Sequence, residues 1–171
     1  MRLFAIALLA CAALCAPARA DYLSDQMEAC AQALTPASRA AIIEACGKVI
    51  QMGELPVSIQ SPAFVSQGNA YAAGADFAKA LSDFSVAVDI DPGNPAPLAA
   101  RGVVLMKQKK FAAAFNDFDT AVKLDGEDAM ALYGRGLAAA RQGKDGAADM
   151  AKAAALDPAM AGYYTDNGLV P

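Results

Sequence analysis

Along the second half of the chain, apolar side chains recur at intervals of three and four. Between residues 78 and 90 the positions Ala80, Leu81, Phe84, Ala87 and Val88 follow that spacing, and the run stops at Asp91-Pro92-Gly93. Such a period puts the apolar groups on one face of a helix, and a Pro/Gly pair ends it; it is not the alternation of a strand. The preceding segment predicts a second helix over roughly 62 to 73, bounded by Gly74, with Ser61 placed to cap the backbone donors and Pro62 in the first turn, where its missing N–H is harmless. The same pattern predicts helices near 96–109, 111–124, 128–141 and 145–156.

The pattern is written more than once. "ALSDFSVAVDIDPGN", residues 80–94, returns 34 residues later as "AFNDFDTAVKLDGED". Phe64, Gly68, Tyr71, Ala80, Phe84, Ala87 and Pro92 are answered by Leu98, Gly102, Leu105, Ala114, Phe118, Ala121 and Gly126. A third copy opens at Leu132, Arg135 and Gly136, and its second half, with Asp149, Met150, Ala153 and Pro158, runs two residues short. The deletion falls in the "RQGKDG" connection, since a loop absorbs what a packed helix cannot. The units are therefore 61–94, 95–128 and 129–160. A helix pair that cannot bury its apolar face alone must be repeated and stacked, so the prediction is an all-α solenoid.

These residues resemble the tetratricopeptide repeat (TPR) family, whose 34-residue unit carries small residues at positions 8 and 20, an aromatic at 24, Ala at 27 and Pro at 32. The first unit supplies Gly68, Ala80, Phe84, Ala87 and Pro92. The second supplies Gly102, Ala114, Phe118 and Ala121, with Gly126 in place of Pro, and the third supplies Gly136, Gly146, Met150, Ala153 and Pro158. The usual Trp at position 4 is replaced by Phe64, Leu98 and Leu132. The resemblance implies a right-handed stack of antiparallel helix pairs. Every matched position is a packing position, so it says little about activity.

The ends differ from the units. Residues 1–20, "MRLFAIALLACAALCAPARA", join an early Arg to an apolar run and end in Ala18-Arg19-Ala20, the form of a secretory signal cleaved before Asp21. The run is too short to span a bilayer stably. The expected location is the periplasm or the medium, with lipid attachment at Cys11 as the lesser alternative, since "LLAC" loosely resembles a lipobox. Residues 21–60 read as an irregular helical hairpin capping the array. Cys46 and Val49 stand where Phe84 and Ala87 stand in the first unit. Cys30 and Cys46 are expected to form a disulfide in an oxidising compartment, with a redox pair as the rival reading; their spacing is not that of a CxxC motif. Residues 161–171 are expected to add a final amphipathic turn or two that seals the last hairpin.

Composition removes several chemistries. The chain has 171 residues and no histidine, so the usual neutral-pH base, the Ser-His-Asp arrangement and most zinc and haem sites are excluded. Its net charge of −4 becomes about −6 once Arg2 and Arg19 leave with the signal, against a nucleic-acid footprint. Asp83, Asp117 and Asp149 are equivalent positions, read as solvated or capping carboxylates rather than an acid/base pair. "YGRGLAAARQGK" lacks the spacing of a phosphate loop, and the Asp-rich turns lack the full calcium-loop pattern. Neither cofactor nor metal is expected.

The resemblance implies that the first helix of each unit lines a concave groove. The residues so placed include Asn69, Val103, Met106, Lys107, Tyr133, Leu137 and Arg141, small or apolar groups with few polar handles and a basic pair. Of the five positions with which one subclass grips a terminal carboxylate, only Asn69 matches; Val65, Ala100, Met130 and Gly134 occupy the others. The expected function is a non-catalytic module binding a protein or peptide of unknown identity at the cell envelope. A carboxylate-based cell-wall enzyme and a self-associating structural subunit are the alternatives.

Overall fold

A computed structural model describes residues 20–170, so all but the last residue of the expected signal segment, and Cys11 with it, lie outside the described residues. Among the described residues nine helices follow one another: α1 (20–30), α2 (Arg39–Gln51), α3 (Val57–Ala73), α4 (Phe77–Ile90), α5 (Pro95–Lys107), α6 (Phe111–Leu124), α7 (Ala129–Ala140), α8 (Ala147–Leu156) and α9 (Met160–Asp166). From α3 to α9 each packs on the one before it. The connections are short, which forces neighbours antiparallel. The backbones of α3 and α5, α5 and α7, and α7 and α9 also approach closely, whereas those of α4, α6 and α8 stand further apart. A stack that touches along one row and splays along the other curves toward the touching row. This is the all-α solenoid of helix pairs that the repeat predicts.

The packing follows from small residues opposite large ones. A Cβ built on Gly68 would lie 2.7 Å from the ring of Phe84, and one on Gly102 would lie 2.7 Å from that of Phe118. Both rings are fully buried, as are Ala80, Ala87, Ala114 and Ala121 beside them. In the third unit Met150 replaces the ring and the backbones close further, so that a Cβ on Gly146 would collide with the carbonyl oxygen of Gly136. Losing either buried ring to Ala would cost about 3–5 kcal/mol.

Helix starts are capped by Asp76, Asn94 and Asp128, whose side chains accept from the N–H groups of Lys79, Ala96 and Ala131. The turn between paired helices is the same in each unit: Ala75, Lys109 and Gly143, 34 residues apart, share a left-handed φ of 61°, 59° and 73°. Only Gly143 adopts it without steric cost.

One expectation fails. The first helix of the first unit begins at Val57, after Pro56, and not at Ser61. Ser61 is fully buried inside the helix with its hydroxyl unpartnered, and Pro62 sits within the helix rather than in its first turn. The added turn is held by packing: Ile59 and Ala63 join the core that α2 forms with Ile42, Cys46 and Val49. Tertiary burial overrides the local preference for a cap and a stop.

Cys30 and Cys46 are bonded, with Cα atoms 4.8 Å apart. Both are buried, and the bond fastens the end of α1 to α2. At the other end, α9 packs on α7 and α8 as α7 packs on α5 and α6. Its Tyr164 is fully buried and falls 32 residues after Leu132, the spacing that the two-residue deletion requires for position 4 of a further unit. The expected terminal turns are thus an inner-row helix in repeat register.

Candidate functional site

The inner row α3, α5 and α7 forms the wall of a cleft of about 540 Å³ on the concave side. Val65, Asn69 and Ala72 come from α3, Ala99, Val103 and Lys107 from α5, and Met130 from α7. Because these helices run parallel in repeat register, equivalent positions line up across the stack and give the cleft a continuous floor. Leu34, on the turn after the disulfide, flanks it at one end, and Tyr163 and Asn167 flank it at the other.

The structure separates the residues singled out in the sequence into two groups. Asn69, Val103 and Lys107 line the cleft; Asn69 is exposed, Val103 is buried in the core beneath it, and Lys107 is half-buried. Lys107 makes no ion pair among the described residues, and burial pulls its pKa below the usual lysine value. An unpaired ammonium in an apolar wall favours an incoming anion over water. The remaining residues belong to the packed interior or to the chain's own C-terminal segment. Met106 is buried, Leu137 packs in the core with Tyr164 and Leu169, and Tyr133 stacks on Tyr164 at 4.9 Å between ring centroids. Arg141 donates from Nη2 to the carbonyl oxygen of Leu169 at 2.6 Å. At the concave cleft the basic pair of Lys107 and Arg141 is therefore divided: Lys107 lines it, whereas Arg141 does not and holds the tail.

Tyr164 is central to that division. Its hydroxyl donates to the carbonyl oxygen of Met130 at 2.8 Å, and burial holds its pKa well above the ordinary phenol value. A Cβ on Gly134 would collide with that hydroxyl and with the Phe118 ring alike. Gly134 is the residue that lets α9 seat there.

The repeated aspartates are not solvated in the way the sequence suggests. Asp117 takes two hydrogen bonds from Arg101, at 2.7 and 2.8 Å, and Asp149 takes two from Arg135 at the same distances. Each arginine also reaches back to the preceding unit, Arg101 to Ser85 at 3.1 Å and Arg135 to Asp119 at 2.9 Å. Asp119 is held below its usual pKa, first by Lys123 and then by Arg135. The first unit has no such arginine: Gln67 stands in its place and donates to the carbonyl oxygen of Ile43 at 2.9 Å. Asp83 is left with a buried, unpartnered Oδ2, and burial pushes its pKa up to about 6. The recurrence of Arg101 and Arg135 beside recurring aspartates was the signal available in the sequence. Asp83 does not line the concave cleft. Among the described residues no group of three or more His, Cys, Asp or Glu could hold a metal ion, and no helix is long and apolar enough to cross a membrane.

No protein-family model matches the sequence, and no curated protein does. Solved structures match the fold. The chain is similar to MamA from Desulfovibrio magneticus RS-1, with a TM-score of 0.68 and 23% identity over 86% of this chain and 82% of that one. It is similar to a thermophilic TPR protein of Thermus thermophilus, with a TM-score of 0.68 and 16% identity over 86% and 84%. A third neighbour is YrrB, described as a TPR protein with an unusual peptide-binding site, with a TM-score of 0.58 and 19% identity over 77% and 71%. The fold is tetratricopeptide-like.

Proposed function

We propose that this protein is a non-catalytic module that binds an extended or helical segment of another protein in the concave cleft, and that it works in the cell envelope after export. The observation that carries the reading is the cleft itself, a continuous apolar floor with Asn69 and the unpaired Lys107 as its polar handles. Apolar grooves with few placed polar groups suit peptide recognition, where side-chain burial supplies affinity and the handles set register. The neighbour named for its peptide-binding site is consistent with that use. The buried disulfide suits an oxidising compartment and supports export.

Site-specific photocrosslinking tests the cleft. A photoreactive residue at Asn69 is expected to yield adducts in cells, while one at Thr120, exposed on an outer helix, yields none. Adducts at Thr120 alone would move binding to the outer row. Sequencing the mature N-terminus tests the location: Asp21 is expected first, and a lipid-bearing Cys11 would place the repeats on a membrane surface.

A further inference from the structure

The connections of the solenoid alternate between two edges. Turns 31–38, 74–76, 108–110 and 141–146 lie on one, together with the end of α9, and turns 52–56, 91–94, 125–128 and 157–159 lie on the other. Charge divides between them. The first edge carries Lys107, Lys109, Lys110, Arg141 and Lys144, and the second carries Asp89, Asp91, Asp125, Glu127, Asp128 and Asp157. The exceptions are fewer. On the basic edge Asp76 is paired with Lys79, leaving Glu28, Asp145 and Asp166. On the acidic edge Lys123 is paired with Asp119, leaving Lys152, which donates to the Gly126 carbonyl oxygen.

Each edge also has an apolar feature, and the two are opposite in shape. The basic edge holds a second cleft, of about 310 Å³, whose apolar side is made by Phe77, Phe111 and the largely buried Met106 and Leu169, with Asn167 and Gly168 beside them and Lys107, Lys109 and Arg141 on its rim. The acidic edge carries exposed leucines at its helix ends, Leu124 at 44% exposure and Leu156 at 43%. Leu124 is followed by Asp125, Glu127 and Asp128, and Leu156 by Asp157. A leucine with a carboxylate collar is the complement of an apolar cleft with a cationic rim.

We propose that copies of this chain associate edge to edge, the acidic edge of one seating Leu124 in the basic cleft of the next. The two surfaces are different, so the contact is heterologous and leaves a further edge open at each end, giving rings or growing rows rather than a closed two-fold dimer. Opposite potentials steer the encounter and make it sensitive to salt. The two surfaces share Lys107, Asp128 and Asn167 with the concave cleft, whereas Lys109, Lys110, Leu124, Asp125 and Glu127 do not line it, so charge reversal at those positions leaves the lining of the concave cleft unchanged.

Sedimentation velocity of the full chain tests this. At low ionic strength the wild type is expected to sediment faster as concentration rises, and added salt to reverse the effect. Lys109→Glu with Lys110→Glu, or Asp125→Lys with Glu127→Lys, changes only exposed side chains, and each pair should weaken association at least about tenfold, the equivalent of about 1.4 kcal/mol. Mixing the two variants should restore a complex, because one then bears two acidic edges and the other two basic ones. A wild type that stays monomeric at all concentrations would overturn the proposal, as would association indifferent to both charge reversals. Failure of the variants to complement would overturn it too. So would a monomer whose basic edge captures a labelled poly-glutamate probe, since the occupant would then be a foreign acidic chain. Crosslinking at Asn69 is unaffected by any of these results, which keeps the two readings separable.

Discussion

Asp83 differs from its counterparts through a single neighbour. Asp117 and Asp149 each pair with an arginine, while at the arginine's position the first unit has Gln67, which is committed to Ile43. Its folded pKa of about 6 stands above the unfolded value of 3.8. A raised carboxylic acid contributes stability that is complete below the unfolded pKa and is lost as pH rises through the folded one. The wild type should therefore gain thermal stability as pH falls from about 7 to about 5, and Asp83→Asn, which mimics the protonated form, should be more stable near neutrality and flat over that window. Melting curves at the two pH values check this; a wild-type to variant gap that ignores pH would refute it. Phe84, Phe118 and their opposing glycines were legible in the sequence because size complementarity repeats at one register. The arginine pairs were harder to read, since they join different helices and their spacing changes from 16 to 14 across the deletion.

At the scale of the helix, boundaries marked by Asp-Pro-Gly or by a capping Asn or Asp are readable, and α4 through α8 fall close to their expected positions. The start of α3 is not, because the turn that extends it is held by contacts with α2 that no local motif announces. Pro62 is thereby carried into the helix, where it gives no N–H to the carbonyl of Ser58 and its ring crowds that turn. Pro62→Ala, at an exposed position, should stabilise the protein by about 1–3 kcal/mol in chemical denaturation. A neutral or negative change would mean that the proline itself serves the packing of α3 on α2. The short α9 is the converse case. Its tyrosines suggest an amphipathic cap, but its register became visible only when Tyr164 was seen buried against Met130 and Gly134.

At the scale of the molecule, the groove positions taken from the repeat register divide where the chain doubles as its own partner. Asn69, Val103 and Lys107 line the open cleft, while Tyr133, Leu137 and Arg141 serve the C-terminal segment. A linear stack is held by contacts between successive pairs, so its weakest junction governs how it comes apart. The guanidinium bridges run from α4 through α8 but stop short of α2, where one neutral amide, Gln67 to Ile43, stands in their place. The hairpin of α1 and α2 is fastened within itself by the disulfide, which does not reach α3. Deuterium uptake should therefore spread through amides of α1, α2 and the facing side of α3 before those of α5 to α7, with the hairpin exchanging as one body while oxidised. Reducing the bond, whose loop is worth about 3 kcal/mol in the unfolded chain, should let α1 exchange ahead of α2. The protein would then behave in time as a ratchet of three tightly coupled leaves with a fourth hinged to it, and the cleft beside Leu34 would be the place where it opens.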